Sequence, residues 1–328
     1  MSSPAELYER LHDAMASVIV GNDEVIEGLT IALLTDGHLL LEGVPGVAKT
    51  SIARAFSQAV GLSYSRIQMT PDMVPADITG TNVYRQQTGE FERRRGPVFA
   101  NMVVADEINR ATPKTQSALL EAMEESTVTI DGTTLQLPRP FMVVATQNPI
   151  EMEGVFELPE AQRDRFRFKY TVELPERPVE RTVLDEFDAS PPIDVESVEQ
   201  AISMEAVQRA RNTVDDVFIA DNVKEYILDL VTATREAAAL QHGSSPRASI
   251  AFLVGAKARA AIRGRAYVIP DDIKILAAPV LVHRVIRTTE AELSGQTRAE
   301  IVSDLVASVP TPSGELTATA AETVEDNT

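Results

Sequence analysis

Residues 43–50 read Gly-Val-Pro-Gly-Val-Ala-Lys-Thr, between an apolar run at 38–41 and a helix-like stretch at 51–56. The two glycines allow a tight turn whose backbone N–H groups point inward, and the positive end of a following helix adds to the attraction for anions. In such a turn, Lys49 meets the β and γ phosphates of a nucleotide and Thr50 holds Mg²⁺. The octapeptide therefore predicts a phosphate-binding loop between a strand and a helix. Its predicted nucleotide-binding residues are Gly43, Pro45, Gly46, Val47, Ala48, Lys49, Thr50 and Ser51.

One residue departs from the general pattern of such loops. Ala48 stands where a glycine is expected before the lysine. A methyl group is tolerated there only if the backbone keeps a negative φ, because L-residues avoid the left-handed region. The alternative interpretation of the octapeptide is a helix entry preceded by an accidental pair of glycines.

Length and composition limit the class of protein. The chain has 328 residues, 44% of them hydrophobic, enough for about two domains with substantial cores. No apolar run approaches membrane-spanning length, and the N-terminal residues carry no export pattern, so we expect a cytoplasmic protein that does not engage a membrane. Cysteine is absent, which excludes disulfides and thiolate chemistry. The four histidines have no metal-ligand spacing, and we expect them to be structural or exposed.

The charge balance is strongly acidic. With 49 acidic and 30 basic residues the net charge is −19, so the average surface repels nucleic-acid phosphates, and only a local basic groove could bind them. Six of the basic residues are lysine and 24 are arginine. This composition suggests adaptation to concentrated salt, where screening removes the self-repulsion of the chain. An unfolding midpoint that does not rise between low and molar KCl would contradict that hypothesis.

The first part of the chain has the pattern of a doubly wound α/β domain. From residue 1 to 174, short apolar runs alternate with helical stretches. The runs are continuously apolar, which is typical of parallel strands covered on both faces. The predicted strands are 38–42, 64–68, 102–105, 141–145 and 166–172.

Two segments interrupt this alternation and are predicted to form hairpins. Residues 83–92 alternate around Thr88-Gly89, and residues 127–137 carry Asp131-Gly132 between alternating flanks. Neither hairpin is needed to complete the parallel sheet, so both are expected to be excursions from it.

The composition changes after Leu174. Prolines and an acidic stretch at 188–196 mark a boundary, and helical periodicity with polar starts follows it. The sequence predicts a smaller all-α domain at 175–309 and a disordered tail at 310–328. Within this domain, Pro270-Asp271-Asp272 reads as a capped helix start with a structural role. The predicted helices are 202–213, 221–240, 248–264, 270–283 and 297–309.

Polar residues at the ends of two predicted strands suggest hydrolysis. Asp106 and Glu107 follow an apolar run, where Asp106 would reach Mg²⁺ beside Thr50 and Glu107 would polarise an attacking water. A pair of acids at a helix N-terminus is the alternative. Asn148 follows the next run, where its amide would contact the γ-phosphate or orient the water, although Asn-Pro is also an ordinary turn signal.

Six motifs follow one another in a defined order along the chain. They are Ile19-Val20-Gly21-Asn22, the phosphate loop with its Ala48-Lys49 pair, Ala105-Asp106-Glu107-Ile108-Asn109-Arg110, Ala145-Thr146-Gln147-Asn148-Pro149, residues 158–166 and residues 245–249. Taken in this order, they resemble the motifs of the MoxR family of AAA+ ATPases over nearly the whole chain. The resemblance implies an α/β P-loop core with a smaller helical lid, ATP and Mg²⁺ as cofactors, and a homo-oligomeric ring, commonly a hexamer. It also makes the two hairpins similar to the helix-2 insert and the pre-sensor-1 hairpin, which face the pore or axial surface of such rings.

The resemblance assigns roles to individual residues. It implies that Asn148 is the first sensor, that Arg165 is an arginine finger offered to a neighbouring subunit, and that Arg247 is the second sensor in the lid. Arg163 and Arg110 are rivals for the finger, and a surface ion pair is the alternative for each arginine. Val20 and Gly21 would clamp adenine, unless this segment only packs a helix end on the core.

The implied function is a ring ATPase that uses hydrolysis to remodel or mature client proteins, including metal-cofactor insertion with a partner that carries a von Willebrand factor A domain. No residue identifies the client. A nucleic-acid-acting ring ATPase is one alternative, favoured by Arg93, Arg94 and Arg95 but opposed by the charge of −19 and by only 5% aromatic residues. A nucleotide-gated scaffold without turnover is another, opposed by Glu107, Asn148 and Arg165, which a pure binder does not need.

Overall fold

The computed structural model describes residues 3–16, 18–19, 21–87, 89–149, 155–189 and 195–312. Val20 and most of the predicted tail, from residue 313 onward, lie outside the described residues. The chain divides into two compact units, Met1–Arg211 and Asn212–Thr328. Residues 175–211, beyond the boundary predicted at 174, belong to the first unit, in which the Ala201 N–H donates to the Ala59 carbonyl (2.8 Å) and Arg211 pairs with Asp36 (2.7 Å).

The first unit alternates helices with strands. Its elements in chain order are α1 (Pro4–Ala16), α2 (Asp23–Leu34), β1 (Leu39–Glu42), α3 (Lys49–Val60), β2 (Tyr64–Gln68), α4 (Pro75–Thr79), β3 (Gly80–Arg85), β4 (Glu90–Arg95), β5 (Met102–Asp106), α5 (Pro113–Glu125), β6 (Thr127–Ile130), β7 (Thr133–Gln136), β8 (Met142–Gln147), α6 (Glu160–Arg163), β9 (Phe168–Thr171) and α7 (Arg177–Ala189), with short 3₁₀ turns at Ile108–Arg110 and Val195–Ser197.

Five strands form one parallel sheet in the order β2-β5-β8-β1-β9. They lie where the sequence predicts strands, and β5 is buried along its whole length, as expected for a strand covered on both faces. The pairs Leu41↔Thr146 and Ala105↔Ala145 bring the carboxyl ends of β1, β5 and β8 to one edge of the sheet. We call this the carboxyl edge, and it is where ligands bind in open α/β sheets.

Two antiparallel hairpins stand outside this sheet and overlap the segments predicted at 83–92 and 127–137. In the first, β3 pairs with β4 and Tyr84 lies opposite Phe91. In the second, β6 pairs with β7. The hairpins differ in burial, because Val128 and Ile130 of the second join the hydrophobic core, whereas every residue of β4 is exposed.

The second unit is mainly helical, as predicted. It also contains a two-stranded antiparallel pair that the sequence did not reveal, since Leu240 continues the apolar period of the predicted helix 221–240. That helix ends at Glu236, where the Arg235 side chain and the Thr234 hydroxyl bond the backbone of Ser244 and turn the chain away. Helix α8 (Met204–Asp215) spans the end of the first unit and the start of the second. The elements that follow it are α9 (Asp221–Glu236), β10 (Leu240–His242), α10 (Pro246–Ile262), α11 (Pro270–Leu281), β11 (Ile286–Arg287), α12 (Thr289–Leu293) and α13 (Arg298–Ser308).

A buried carboxylate organises the start of α11. Asp272 accepts hydrogen bonds from Nη1 of Arg259 (2.6 Å), from both terminal nitrogens of Arg265 (2.8 and 2.6 Å) and from the Ile269 N–H (3.0 Å). The Ile269 contact caps the helix, and the hydrogen bonds that Arg265 donates to Asp272 raise the pKa of Arg265. The structural role predicted for Pro270-Asp271-Asp272 agrees with this geometry.

Candidate active site

The octapeptide forms the turn between β1 and α3, and its two glycines are required for different reasons. Gly46 has φ +88°, a conformation that L-residues rarely adopt, and among the described residues no heavy atom beyond its chain neighbours lies within 4 Å of the place where its Cβ would be. An added Cβ on Gly43 would instead lie 2.4 Å from the carbonyl oxygen of Val172. One glycine thus permits the turn, and the other permits close approach of the chain after β9.

Ala48 does not have the negative φ that the sequence predicts. Its φ is +59°, in the left-handed region, at an estimated cost of about 1–2 kcal/mol for a residue with a Cβ. The Ala48 carbonyl accepts the hydrogen bond from the Ile52 N–H (2.9 Å), and the neighbouring Val47 is buried. The start of α3 and the anchored valine therefore hold Ala48 in this conformation, and the expectation was wrong because tertiary contacts outweigh the local preference.

The N-terminus of α3 is available to bind an anion. Ala48 at the N-cap makes no side-chain cap bond, and the first backbone N–H groups of an α-helix have no partner within the helix, so they can donate to an anion. Lys49 starts the helix and donates from Nζ to the carbonyls of Gly43 and Val44, the latter at 2.9 Å. Burial lowers the pKa of Lys49, while the nearby carboxylates of Asp106, Glu107 and Glu42 oppose that shift.

Asp106 ends β5 next to this loop and accepts four hydrogen bonds. Oδ1 accepts from the Thr146 hydroxyl (2.6 Å), and Oδ2 accepts from the Thr50 hydroxyl (3.1 Å) and from Nε and Nη2 of Arg66 (3.0 and 2.6 Å). Burial disfavours the charged form of Asp106, yet the hydrogen bonds from Thr146, Arg66 and Thr50 outweigh it and hold its pKa below the usual value. The structure thus brings Thr50 and Asp106 together, as the sequence predicted.

Glu107 lies one residue farther out, in a left-handed conformation with φ +56°. Its Oε2 accepts hydrogen bonds from Nε2 of Gln68 (2.8 Å) and Nη1 of Arg110 (3.0 Å). Its N–H donates to the Thr146 hydroxyl (2.9 Å), which in turn donates to Asp106. Thr146 therefore links the two acidic residues through one hydroxyl.

Sequence reasoning missed three of these contacts, those of Arg66, Gln68 and Thr146. Arg66 and Gln68 alternate on β2, which pairs with β5 so that Gln68 lies opposite Asp106. The only local signal was two polar side chains two residues apart in a short strand. That pattern does not point to the acidic pair unless β2 is known to lie beside β5.

The oxygen ligands at this site suit Mg²⁺. Thr50 supplies a hydroxyl and Asp106 a carboxylate, 3.1 Å apart, at the mouth of the phosphate loop. No cluster of three or more His, Cys, Asp or Glu side chains with metal-binding geometry occurs in the part of the chain that the structure describes. Magnesium in nucleotide sites is held by one or two protein oxygens together with phosphates, so the donor set fits.

Asn148 lies near the phosphate loop. It is buried just beyond the end of β8, where the Gly43 N–H donates to the Gln147 carbonyl (3.2 Å). Gly21 adopts φ +76°, and an added Cβ there would lie 3.6 Å from Cγ1 of Val179. The sensor role of Asn148 and the adenine-binding role of Gly21 stay predictions, and Val20 is outside the described residues.

The candidate arginines have different surroundings. Nη2 of Arg165 pairs with Glu124 of the same chain (2.8 Å), and Nη1 of Arg110 pairs with Glu107 (3.0 Å). Arg163 is the last residue of α6. Arg247 belongs to the second unit, at the start of α10, where its N–H donates to the Ser245 hydroxyl (3.2 Å). Which of these arginines serve as finger and second sensor stays a prediction.

The sheet order, the phosphate loop and the acidic pair define the class of the protein. Residues 38–168 match the ATPase family associated with various cellular activities (AAA), and residues 232–305 match the AAA lid domain. The solved structure of a candidate ATPase from Cytophaga hutchinsonii superposes with a TM-score of 0.87 at 39% identity, covering 94% of this chain and 96% of that one. The fold is therefore an AAA+ core followed by a helical lid, which confirms the predicted fold class and the predicted ATPase class.

Two curated relatives define the family. Chaperone MoxR1 of Mycobacterium tuberculosis is 43% identical over 93% of this chain and 82% of its own length. Protein YeaC of Bacillus subtilis, whose function is uncharacterised, is 47% identical over 90% of this chain and 92% of its own length. The chain belongs to the MoxR family of AAA+ ATPases, as the resemblance predicted.

Family membership carries two coarser conclusions. AAA+ ATPases bind nucleotide, and they assemble into oligomers. In the ranges that the structure describes, no helix has both the length and the apolar character needed to cross a membrane.

Proposed function

We propose that this protein hydrolyses ATP to ADP and phosphate and uses the free energy to remodel or mature client proteins. The observation that carries the hydrolytic part is the placement of Glu107 beside the Thr50–Asp106 pair at the mouth of the phosphate loop. The name of its relative, Chaperone MoxR1, supports action on proteins. The acidic net charge of −19 argues against nucleic acid as the substrate.

The loop residues bind the triphosphate. Backbone N–H groups at the start of α3 donate to phosphate oxygens, and Lys49 exchanges the carbonyls of Gly43 and Val44 for the β and γ phosphates. Thr50 and Asp106 would hold Mg²⁺, which when bound neutralises charge on the phosphates and on the leaving oxygen. Ile19, Val20 and Gly21 form the adenine-binding segment.

Glu107 acts on the water. Its carboxylate accepts a proton from a water molecule whose oxygen forms a bond to the γ phosphorus, while the bond from that phosphorus to the β–γ bridging oxygen breaks. Gln68 and Arg110 both donate hydrogen bonds to this carboxylate and so orient Glu107 for the proton transfer. The Asn148 amide hydrogen-bonds the γ-phosphate or the water without adding charge.

Full activity requires neighbouring subunits in a homo-oligomeric ring, proposed to be a hexamer. Arg165 is the proposed finger that stabilises the charge on the γ-phosphate of the next subunit. Its pair with Glu124 is partly exposed, and such pairs contribute only about 0–1 kcal/mol, so Arg165 exchanges this partner readily. Arg110 is less suited because its partner is Glu107, the proposed base of its own subunit, which it orients. Arg247 is the proposed second sensor in the lid.

The catalytic residues do not identify the client and partner proteins. The family resemblance supports a partner that carries a von Willebrand factor A domain, and the proposed site of action is the cytoplasm. The two hairpins outside the sheet are the proposed surfaces through which the ring reaches its client.

The decisive test is Glu107→Gln, with Glu121→Gln on the exposed face of α5 as the matched control. Phosphate release should fall by about 10²- to 10⁴-fold in Glu107→Gln because the water loses its base, whereas ATP binding should persist. The control should keep the wild-type rate. Equal rates in the wild type and Glu107→Gln would contradict the role of Glu107, and a wild type that binds ATP without turnover would favour the scaffold hypothesis.

The same variant tests action on proteins. Glu107→Gln with bound ATP should retain client proteins in a pull-down that the Lys49→Ala variant, which cannot bind the triphosphate, does not retain. Recovery of nucleic acid in place of protein would contradict the proposed substrate class.

A further inference from the structure

The hairpin of β3 and β4 exposes large apolar side chains. The side chains of Tyr84 and Phe91 are 53% and 72% exposed, and their ring centroids lie 5.3 Å apart. All six residues of β4 are exposed, so this hairpin has no hydrophobic core of its own. Two-stranded hairpins are only marginally stable in water, and exposed aromatic clusters usually mark sites of interaction.

The two faces of the hairpin differ in chemistry. Side chains alternate between faces along a strand, and Tyr84 lies directly opposite Phe91 in the register. The face with these rings, called the aromatic face below, carries two arginines and no acidic residue. Its members are Asn82, Tyr84, Phe91, Arg93 and Arg95, whereas Thr81, Val83, Arg85, Glu90, Glu92 and Arg94 share the opposite face.

The charge on the opposite face is largely neutralised within the hairpin. Arg85 pairs there with Glu92, and Glu90 is on the same face as Arg94. On the aromatic face, the Arg95 guanidinium lies 5.2 Å from the centroid of the Phe99 ring, a cation–π contact that keeps its charge. The aromatic face is therefore cationic in a protein whose net charge is −19.

The base of the hairpin is held closely. An added Cβ on Gly80 would lie 2.5 Å from the Gly96 nitrogen, and one on Gly96 would lie 2.2 Å from the Ile78 carbonyl oxygen. The strands thus leave the core through two glycines in close contact. A surface that is ordered before binding loses less conformational entropy when a partner docks.

We propose that the aromatic face binds an extended segment of a client polypeptide in which acidic side chains alternate with large apolar ones. Tyr84 and Phe91 would cover the apolar side chains, and Arg93 and Arg95 would pair with the carboxylates. The inference rests on the proposed action on client proteins and names the chemistry of the segment they present. The two apolar rings, which a polyphosphate could not cover, favour an acidic peptide with large apolar side chains over a polyphosphate ligand.

The test measures binding of a fluorescein-labelled synthetic peptide in which Glu alternates with Phe and Leu, by fluorescence anisotropy. Three comparison probes are the same peptide with Lys in place of Glu, the same peptide with Ser in place of Phe and Leu, and an oligothymidylate. The acidic apolar peptide should bind at least about tenfold more tightly than each of them. Tighter binding of the oligothymidylate, or no binding of the peptide, would overturn the proposal.

Matched variants locate the binding face. Arg93→Glu should weaken binding by about tenfold or more, whereas Arg94→Glu, the same charge change on the opposite face, should alter it by less than about threefold. Phe91→Ser and Val83→Ser form the corresponding apolar pair. Equal losses from Arg93→Glu and Arg94→Glu would overturn the assignment to the aromatic face. Arg93→Glu leaves the Tyr84–Phe91 contact intact. It therefore tests whether the aromatic face binds the peptide even if Phe91→Ser disturbs the hairpin.

The result is separable from the ATPase proposal because the peptide is bound without turnover. The four hairpin variants should hydrolyse ATP at the wild-type basal rate, since none of them lies at the carboxyl edge of the sheet. If Glu107→Gln loses hydrolysis as expected and the peptide does not distinguish the faces, only the docking inference fails. If the peptide distinguishes the faces but the wild type releases no phosphate, only the ATPase proposal fails.

Discussion

Asp106 in the first unit and Asp272 in the second are both buried carboxylates that accept four hydrogen bonds, some of them from arginine. Burial and arginine contacts alone would make them equal candidates for a functional site. Their partners differ. The arginines around Asp272 are 11% and 22% exposed and its fourth donor is a backbone N–H, whereas the Arg66 side chain at Asp106 is 53% exposed and another donor is Thr50 of the phosphate loop.

This difference separates a structural carboxylate from a functional one. The partners of Asp272 are packed into the same unit and cannot leave without a loss of folding free energy. Two partners of Asp106 can exchange, because one reaches solvent and the other lies at the mouth of a binding loop. The accessibility of the partners, and not the burial of the acid, identifies the functional site.

The largest effect on stability should come from Asp272→Ala. Arg259 and Arg265 are only 11% and 22% exposed and would both lose the carboxylate they contact, so the free energy of unfolding of the lid should fall by about 3–5 kcal/mol. Urea unfolding followed by circular dichroism measures this loss. Asp271→Ala, an exposed neighbour in the same helix turn, is the control, and a similar small loss in both variants would refute the structural role.

Asp106→Asn should have the opposite profile. The amide keeps one oxygen acceptor for Thr146 but removes the charge, so phosphate release should fall by about 10²- to 10³-fold while the unfolding free energy changes little. Measuring both quantities on Asp106→Asn and Asp272→Ala tests the comparison directly. If both variants lost phosphate release, or both lost free energy of unfolding, to the same extent, the distinction between a functional and a structural carboxylate would be wrong.

His38 extends the comparison to a buried base and predicts a pH dependence. Its Nδ1 accepts from the Val143 N–H (3.0 Å) and its Nε2 contacts the Met123 carbonyl (3.1 Å), and burial lowers its pKa from 6.5 to about 4. Because the folded pKa is depressed for a base, the unfolded chain binds the proton first as pH falls. The contribution of His38 to the free energy of unfolding is therefore fully present above pH 6.5. It decreases by about 3 kcal/mol as the pH falls from 6.5 to 4.

Unfolding free energies at several pH values measure this slope. His38→Gln should flatten it between pH 6.5 and 4, whereas His12→Gln on the exposed side of α1 should retain it. An unchanged slope in His38→Gln would assign the pH dependence to other groups.

The smallest effect should come from Arg66→Gln. Because Arg66 is half-exposed, removing it should lower the unfolding free energy by only about 1 kcal/mol, compared with about 3 kcal/mol or more for Arg265→Gln. Arg66 also shares Oδ2 of Asp106 with Thr50, so its removal should lower the Mg²⁺ concentration needed for half-maximal hydrolysis. A higher Mg²⁺ requirement would show that Arg66 supports the metal site and does not compete with it.

Local patterns in the sequence determined the phosphate loop, the five strands, the acidic pair and most lid helices. Each depends on neighbouring residues: glycine spacing, continuous apolar runs, helical periodicity and polar caps. For the same reason the capped start of α11 was recognisable from Pro270-Asp271-Asp272 alone. The family also followed from motif order, since those motifs are short and lie in a defined succession.

Only the tertiary structure decided which groups meet. Arg66 and Gln68 reach the acidic pair because β2 lies beside β5, and Arg165 meets Glu124 because residues distant in the chain pack together. Ala48 takes a left-handed conformation between the buried Val47 and the start of α3, and the helix predicted at 221–240 ends early because Thr234 and Arg235 bond the backbone of Ser244. Side-chain partners and backbone strain depend on long-range packing, whereas periodicity and caps are local, and this is why the sequence alone could determine only the latter.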